Sequence, residues 1–329
     1  MNDFVICARQ VSNGRFKSEP GPSLFLDAPP RSVPAPAHAA ARVAAWVTRL
    51  RRRAVWGRDE RTGGERGDIL IFIHGYNNSQ AMVMRRHRRL QADLAAAGFK
   101  GAVVTFDWPS ADMTLNYLED RHDAKRTAMQ LVDDGIRLLA KEQGPGCTIN
   151  VHLLAHSTGA YVVREAFDDA DDATLEQSGW LVSQIVFIGG DVSSGSMSAR
   201  ESASASLYRH CLRLTNYSNN ADAVLKVSNA KRLGIAPRVG RAGLPADAPA
   251  KAVNVDCTAY FQMIDADAAA RKEDQRETLG TFSHSWHIGN RVFTADLFET
   301  LRGDLDGSAI ATREVGERGE VRLRRGITL

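Results

Sequence analysis

A single serine at a predicted strand-to-helix junction is the first place where the sequence offers a reaction. Ser157 lies in "VHLLAHSTGA", Val151 to Ala160, where an apolar run passes through Ala155-His156-Ser157-Thr158-Gly159 into helix-forming residues. Ala155 and Gly159 give it the small-x-Ser-x-small spacing of a nucleophile elbow, a turn so tight that larger flanks would strike neighbouring backbone. A serine hydroxyl is a poor nucleophile at neutral pH until an imidazole accepts its proton. A carboxylate must then hold that imidazole in the right tautomer and orientation. The chemistry such a serine suggests is acyl transfer.

On a strand-turn-helix framework the acid and then the base follow the nucleophile in the chain. Asp222, in "YSNNADAVLKVS", comes directly after a predicted strand and would stand at the same sheet edge as Ser157. Asp191, in "FIGGDVSSGS" after the preceding strand, is the competing acid; Asp107 ends an earlier strand and precedes the serine, so it fits poorly. The histidines after Ser157 are His210, His284 and His287. His210 begins a strand, at the wrong end of the sheet. His284 and His287 share "TFSHSWHIGN", with His284 the expected base and His287 the alternative. Upstream, "ILIFIHGYNNS" runs a buried strand into His74-Gly75. The loop after such a strand supplies one amide of an oxyanion hole and the residue after the nucleophile the other. That assigns the amides of Tyr76 (with Asn77 as its alternative) and Thr158, and Gly75 would let the backbone fold close. His74 and His156 are expected to line the site, His152 to be a strand residue satisfied locally, and His38, His87 and His122 to lie on the surface.

The elements that must position these groups alternate along the chain. Strands are expected at 69–73, 102–106, 148–153, 184–188, 211–215 and 252–256, with helices near 79–97, 124–142, 159–167, 198–208 and 294–301 between and after them. This predicts an α/β fold, a mostly parallel central sheet with helices on both faces. Residues 1–67 read as an extension packed on the sheet, with a strand at 4–7, a turn-rich stretch ending in "APPRSVPAPA" and a helix over 39–53. Residues 68–302 form the catalytic core and 303–329 a tail with a hairpin expected around 316–319. One domain with insertions is the expectation.

With 329 residues, 43% hydrophobic and 25% charged, the chain has an ordinary globular composition. A net charge of +3 gives no reason to expect nucleic-acid binding. The arginine clusters at 51–53 and in "MRRHRRLQ" read as solvated helix faces, the second also as a stripe that would steer anionic lipids or substrates. Cys7, Cys147, Cys211 and Cys257 match no metal or redox spacing and read as free thiols. No signal peptide or membrane-length apolar run is evident, so a soluble cytoplasmic protein is expected.

Taken in order, "IFIHGYNNS", "FDWPS", "LLAHSTGA", the Gly-Asp after the next strand, "NNADAVL" and "SHSW" resemble a bacterial branch of the α/β-hydrolases catalogued mainly as a domain of unknown function. The likeness covers roughly residues 68–302. It implies an α/β-hydrolase fold and an esterase- or lipase-like serine hydrolase, with Ser157 as nucleophile, Asp222 as acid and His284 as base. The chain departs from the pattern at Thr158, where methionine is common, and at Gly189-Gly190, where Ala-Pro is common. The first change leaves the oxyanion amide intact; the second bears on substrate preference.

The expected activity is cleavage of a carboxylic ester, small or lipid-like, through an acyl-enzyme, with no metal and no organic cofactor. A thioester, lactone or amide would suit the same triad, because the fold does not choose among acyl donors. The rival from another class is a non-catalytic binding protein on the same fold. The sequence sets no oligomeric state.

Overall fold

Apolar runs without a polar alternation have no solvent face to offer, and they become strands covered on both sides. The structure is a computed structural model that describes residues 2–110, 127–140, 147–172, 181–231, 236–269 and 280–327. Its strands are β1 (Asp3–Ser12), β2 (Arg15–Ala28), β3 (Val55–Arg58), β4 (Glu65–Ile73), β5 (Ala102–Asp107), β6 (Cys147–His156), β7 (Val182–Ile188), β8 (Cys211–Ser218), β9 (Ala252–Asp256), β10 (Arg313–Val315) and β11 (Val321–Leu323). They form one sheet in the order β10-β11-β9-β8-β7-β6-β4-β5-β1-β2, with β3 paired to β4. The pairings from β1 through β5, β4, β6, β7, β8 and β9 to β11 are parallel. β2, β3 and β10 attach antiparallel. The architecture is the expected α/β one.

The helices are α1 (Val43–Ala54), α2 (Gln80–Ala97), α3 (residues 127–140), α4 (Thr158–Asp172), α5 (Ser202–Arg209), α6 (Ala223–Lys231), α7 (Val239–Ala242), α8 (Thr258–Ala266), α9 (Phe282–Ser285) and α10 (Arg291–Arg302). One core joins Trp46 and Leu50 of α1, Leu131 and Ile136 of α3 and Phe167 of α4 to Ile71, Leu153 and Phe187 of the sheet. The other joins Leu90 and Leu94 of α2, Phe261 of α8 and Phe293 and Leu297 of α10 to Phe72, Leu154 and Val186. Successive strand residues therefore feed opposite layers.

Several local expectations need correction. Residues 15–28 are not turns but β2, and Pro20 is tolerated there because β2 is an edge strand with no ladder to complete on its outer side. α1 begins at Val43 rather than residue 39, since Pro36–His38 form a 3-10 turn and Arg42 is still extended. α3 is π-helical over Leu131–Arg137; residues 124–126 and 141–142 of that predicted helix, and His122, lie outside the described residues. α6, α7 and α8 were not expected. His87 is not on the surface: it is buried under α2, its Nδ1 2.8 Å from Thr105 Oγ1.

The "MRRHRRLQ" stripe is only in part a solvated face: Arg85 is exposed, but its other arginines are engaged. Arg86 is buried, Arg88 donates to Asp3 Oδ2 at 2.7 Å and to the Ser32 carbonyl at 2.6 Å, and Arg89 binds Asp93 at 2.7 Å. Among the described residues no helix is long and apolar enough to cross a membrane.

The chain's last described residues join the sheet through an ion pair with no exposure on either side. Arg313 of β10 donates to Asp296 of α10 at 2.6 Å and to Thr300 Oγ1 at 2.6 Å, and Tyr217 of β8 donates to the same carboxylate. Breaking such a pair from one side strands a buried charge. Arg313→Met is expected to lower the unfolding free energy by roughly 3–5 kcal/mol, read by urea denaturation, whereas the double variant Asp296→Leu/Arg313→Met loses clearly less. Equal losses would show that the charge is not what matters.

Candidate active site

Ser157 occupies the single residue between β6 and α4 and has a φ of 57°. A non-glycine residue pays about 1–2 kcal/mol for that left-handed conformation, so its surroundings must hold it there. They do so from β7: the Ser157 amide donates to the Ile188 carbonyl at 3.0 Å, and the Asp191 amide donates to the Ser157 carbonyl at 3.0 Å. Neighbouring backbone enforces the small flanks. A Cβ at Gly159 would lie 2.5 Å from the Ile73 carbonyl oxygen, and one at Gly75 would lie 2.7 Å from Ser157 Cβ. Ala155, paired with Ile73 in the sheet, is fully buried.

Asp222 and His284 are brought together. His284 Nδ1 stands 2.6 Å from Asp222 Oδ2, and both side chains are buried. Asp222 also accepts from the Leu225 amide at 2.9 Å, so the carboxylate caps α6 while it faces the imidazole. The segments that carry Asp222 and His284 are tied together by Asn219, whose Nδ2 donates to the Ser283 carbonyl at 3.0 Å, and by the Ala223 amide, which donates to Ser283 Oγ at 3.2 Å. The imidazole lies on Gly189, whose φ is 54°. A Cβ there would stand 3.0 Å from His284 Cε1. Glycine at this departure from the family pattern therefore serves both the backbone and the ring above it.

Asp191 and His287 are not part of that pair. Asp191 Oδ1 is 3.2 Å from Arg238 Nε. His287 is stacked on Trp286 and packed edge-on to Phe293, and among the described residues neither of its ring nitrogens has a hydrogen-bond partner. Burial pushes its pKa down to about 3.

The loop after β4 meets Ser157 through Gly75. Asn78 Nδ2 donates to the Gly75 carbonyl at 2.7 Å and to the Tyr76 carbonyl at 2.9 Å, which fixes the loop from within. The Asn77 amide donates to the Ser110 carbonyl at 2.7 Å, which ties the loop to the segment after β5. Thr158 is the first residue of α4, where an N–H has no intrahelical carbonyl to bind. His74 does not line the site but stands behind the loop, fully buried and stacked on Trp108 with centroids 5.6 Å apart.

His156 does reach His284. Its Nε2 is 3.3 Å from the His284 carbonyl, the two ring centroids are 4.8 Å apart, and Arg86 Nη1 lies 3.4 Å from its Nδ1. Burial, reinforced by the charge of Arg86, holds the His156 pKa well below the imidazole range. Arg86, Asn78 and Asn219 all went unread in the sequence. Arg86 carried no signal that set it apart from the arginines around it. The asparagines had one, since "GYNNS" and "YSNNAD" each place a side-chain amide in a loop that must be shaped.

Residues 58–270 match the family model described as an alpha/beta hydrolase of unknown function, DUF900. The chain belongs to this family. The matched stretch holds Ser157 and Asp222 and ends before His284. No curated protein matches the sequence.

Similar solved structures include an esterase from Pyrobaculum calidifontis, at 14% identity and TM-score 0.36 over 79% of this chain and 90% of that one. A monoacylglycerol lipase from Paleococcus ferrophilus aligns at 15% identity and TM-score 0.35, over 62% of this chain and 87% of the lipase. Phospholipase PlaB from Legionella pneumophila, in complex with thio-NAD, aligns at 16% identity and TM-score 0.30 over 48% of this chain. The alignment covers 40% of that phospholipase, so this α/β-hydrolase spans well under half of its length.

His74, His156 and His287 are all held neutral by burial in the folded chain. Unfolded, each takes up a proton below about pH 6.5. The unfolded chain then binds more protons, so stability falls as the pH drops below that value. For His287 the loss continues down to its own pKa of about 3, at up to ~1.4 kcal/mol per pH unit. Denaturant unfolding followed from about pH 7 to 5 is expected to show a shallower slope for His287→Phe than for the parent. An unchanged slope would mean that His287 does not titrate in this way.

Proposed function

We propose that this α/β-hydrolase is a serine hydrolase that cleaves carboxylic esters through an acyl-enzyme. Ser157 Oγ attacks the carbonyl carbon while His284 Nε2 takes its proton, and the carbonyl π bond opens to an oxyanion. The amides of Tyr76 and Thr158 donate to that oxygen. As the tetrahedral intermediate collapses, the bond to the leaving alkoxide breaks and His284 returns the proton to it, releasing the alcohol. Water, deprotonated by the same imidazole, then attacks the acyl-enzyme, and the acid leaves with Ser157 reprotonated. Asp222 keeps the Nδ1–H tautomer in place and steadies the imidazolium. Preorganised backbone donors suit this chemistry because they meet charge only where it develops.

The observation that carries the reading is the buried Asp222–His284 hydrogen bond of 2.6 Å, with the imidazole seated on Gly189. Gly189 directly follows Ile188, whose carbonyl accepts from the Ser157 amide. A binding protein on this fold would have no use for a buried carboxylate orienting an imidazole, nor for a serine held in a left-handed turn.

The test is a panel of p-nitrophenyl esters of increasing chain length with fluorophosphonate labelling. Ser157→Ala is expected to lose both labelling and turnover, and Asp222→Asn to lower kcat by about 10³–10⁴-fold with the fold intact. Labelling that persists at another residue refutes the nucleophile. Turnover confined to thioesters, lactones or amides, yet still abolished in Ser157→Ala, keeps the mechanism and replaces the substrate class.

A further inference from the structure

β1 lies outside the stretch matched by the family, yet it reaches the back of the site. It pairs in parallel with β5, Cys7 opposite Asp107, so Arg9 extends past the end of β5. Arg9 Nε donates to Asp107 Oδ1 at 3.0 Å and its Nη2 to the Trp108 carbonyl at 2.9 Å. Gln80 Nε2, at the start of α2, donates to the other carboxylate oxygen at 2.7 Å. His74 is gripped from the same place: Trp108 Nε1 donates to the His74 carbonyl at 2.7 Å, and the Trp108 amide donates to His74 Nε2 at 3.2 Å, which leaves the neutral ring's proton on Nδ1. On its far side His74 Nδ1 stands 2.9 Å from the Gly75 carbonyl. Burial alone would raise the Asp107 pKa, but the charge of Arg9 holds it well below the usual carboxylate range.

A buried ion pair seldom stabilises a protein better than apolar side chains of the same volume. What it supplies that they cannot is direction. Arg9 is 4% exposed, Asp107 1% and His74 not at all, and the contacts form a continuous chain from β1 to the Gly75 carbonyl. We propose that Arg9 is a positioning residue for the oxyanion loop: through Asp107, Trp108 and His74 the N-terminal strand sets where the Gly75–Tyr76 backbone lies against Ser157. The proposal rests on the reading of Tyr76 as an oxyanion donor. Its physical basis is that donors to a developing oxyanion act only over tenths of an ångström.

Kinetics of full-length Arg9→Met and Arg9→Lys, normalised to active sites titrated with a fluorophosphonate, test it, with Ser157→Ala run beside them. Arg9→Met is expected to lower kcat per titrated site by about 10- to 100-fold with KM changed less than about twofold. It should weaken inhibition by a trifluoromethyl ketone, whose hemiketal oxygen occupies the same hole, by a similar factor. Arg9→Lys should recover part of both. Titrated sites that turn over at the parent rate, with only the melting temperature lowered, would overturn the proposal and leave the network a purely structural one. Should Arg9→Met fail to fold, Gln80→Met, which removes the partly exposed contact to the same carboxylate, carries the same readout with a smaller loss. Parent-like kcat and ketone inhibition in that variant would overturn it equally. Turnover surviving in Ser157→Ala would instead remove the catalytic reading beneath it, whatever Arg9→Met does.

Discussion

The left-handed turn at Ser157 is the constraint on which the rest of the site depends. A φ of 57° at a non-glycine residue is unfavourable by itself and persists only where its surroundings over-determine it. Three strands contribute to that. β7 and the loop that follows it clamp the turn with hydrogen bonds on both sides, Ser157 to Ile188 and Asp191 to Ser157. β4 leaves no room for a side chain at position 159, and the Gly75 backbone beyond it closes against the Ser157 side chain. The parallel register of β4 with β6, Ile73 opposite Ala155, brings the two strand ends level. A slip of one residue would turn every side chain of the strand to the wrong core and move Gly75 away from the serine.

From that turn outward, the loops at this edge of the sheet are fastened to one another and not only to their own strands. Asn219 bridges the Asp222 loop to helix α9, which carries His284, and its amide donates to the Gly240 carbonyl at 2.9 Å. Gly240 in turn packs on Gly189 and Gly190, its own amide donating to the Gly190 carbonyl at 2.9 Å. Segments distant in sequence thus share a few backbone contacts, each too close for a side chain. This is a way to hold a constellation on loops with the precision of regular structure, because its geometry is set by packed backbone and not by flexible side chains.

How much of this was legible in the sequence follows from what kind of signal each part leaves. The six central strands and the sheet's parallel sense were legible, because burial on both faces writes itself into consecutive residues. Asp222 and His284 could be narrowed to short segments by chain order and strand ends, and a single 2.6 Å contact now separates them from Asp191 and His287. β2 was not legible: an edge strand half open to solvent, with Pro20 and Gly21 inside it, looks like turns. Nor were the buried arginines. Arg9, Arg86 and Arg313 have the same composition signal as solvated ones, and only partners 70 to 199 residues away for Arg86, 98 for Arg9 and 17 for the Asp296 contact of Arg313 distinguish them. Long-range pairing leaves no periodicity in a single sequence.

The surroundings of His284 make one more physical point. A guanidinium can only donate, so with Arg86 Nη1 3.4 Å away His156 Nδ1 must accept. A carbonyl can only accept, so the His284 carbonyl, 3.3 Å from Nε2, requires the proton there. Both demands are met by one neutral tautomer, and burial with the Arg86 charge keeps the second proton off. That neutrality matters for a base that becomes cationic during the proposed reaction. Two imidazolium rings 4.8 Å apart would repel by ~3 kcal/mol at an effective dielectric constant of 20, a penalty paid in the transition state itself. A neutral His156 can instead donate to the His284 backbone without opposing the charge on its ring. Asp222 is the counter-ion closest to that charge, and the histidines beside it hold position without competing for the proton.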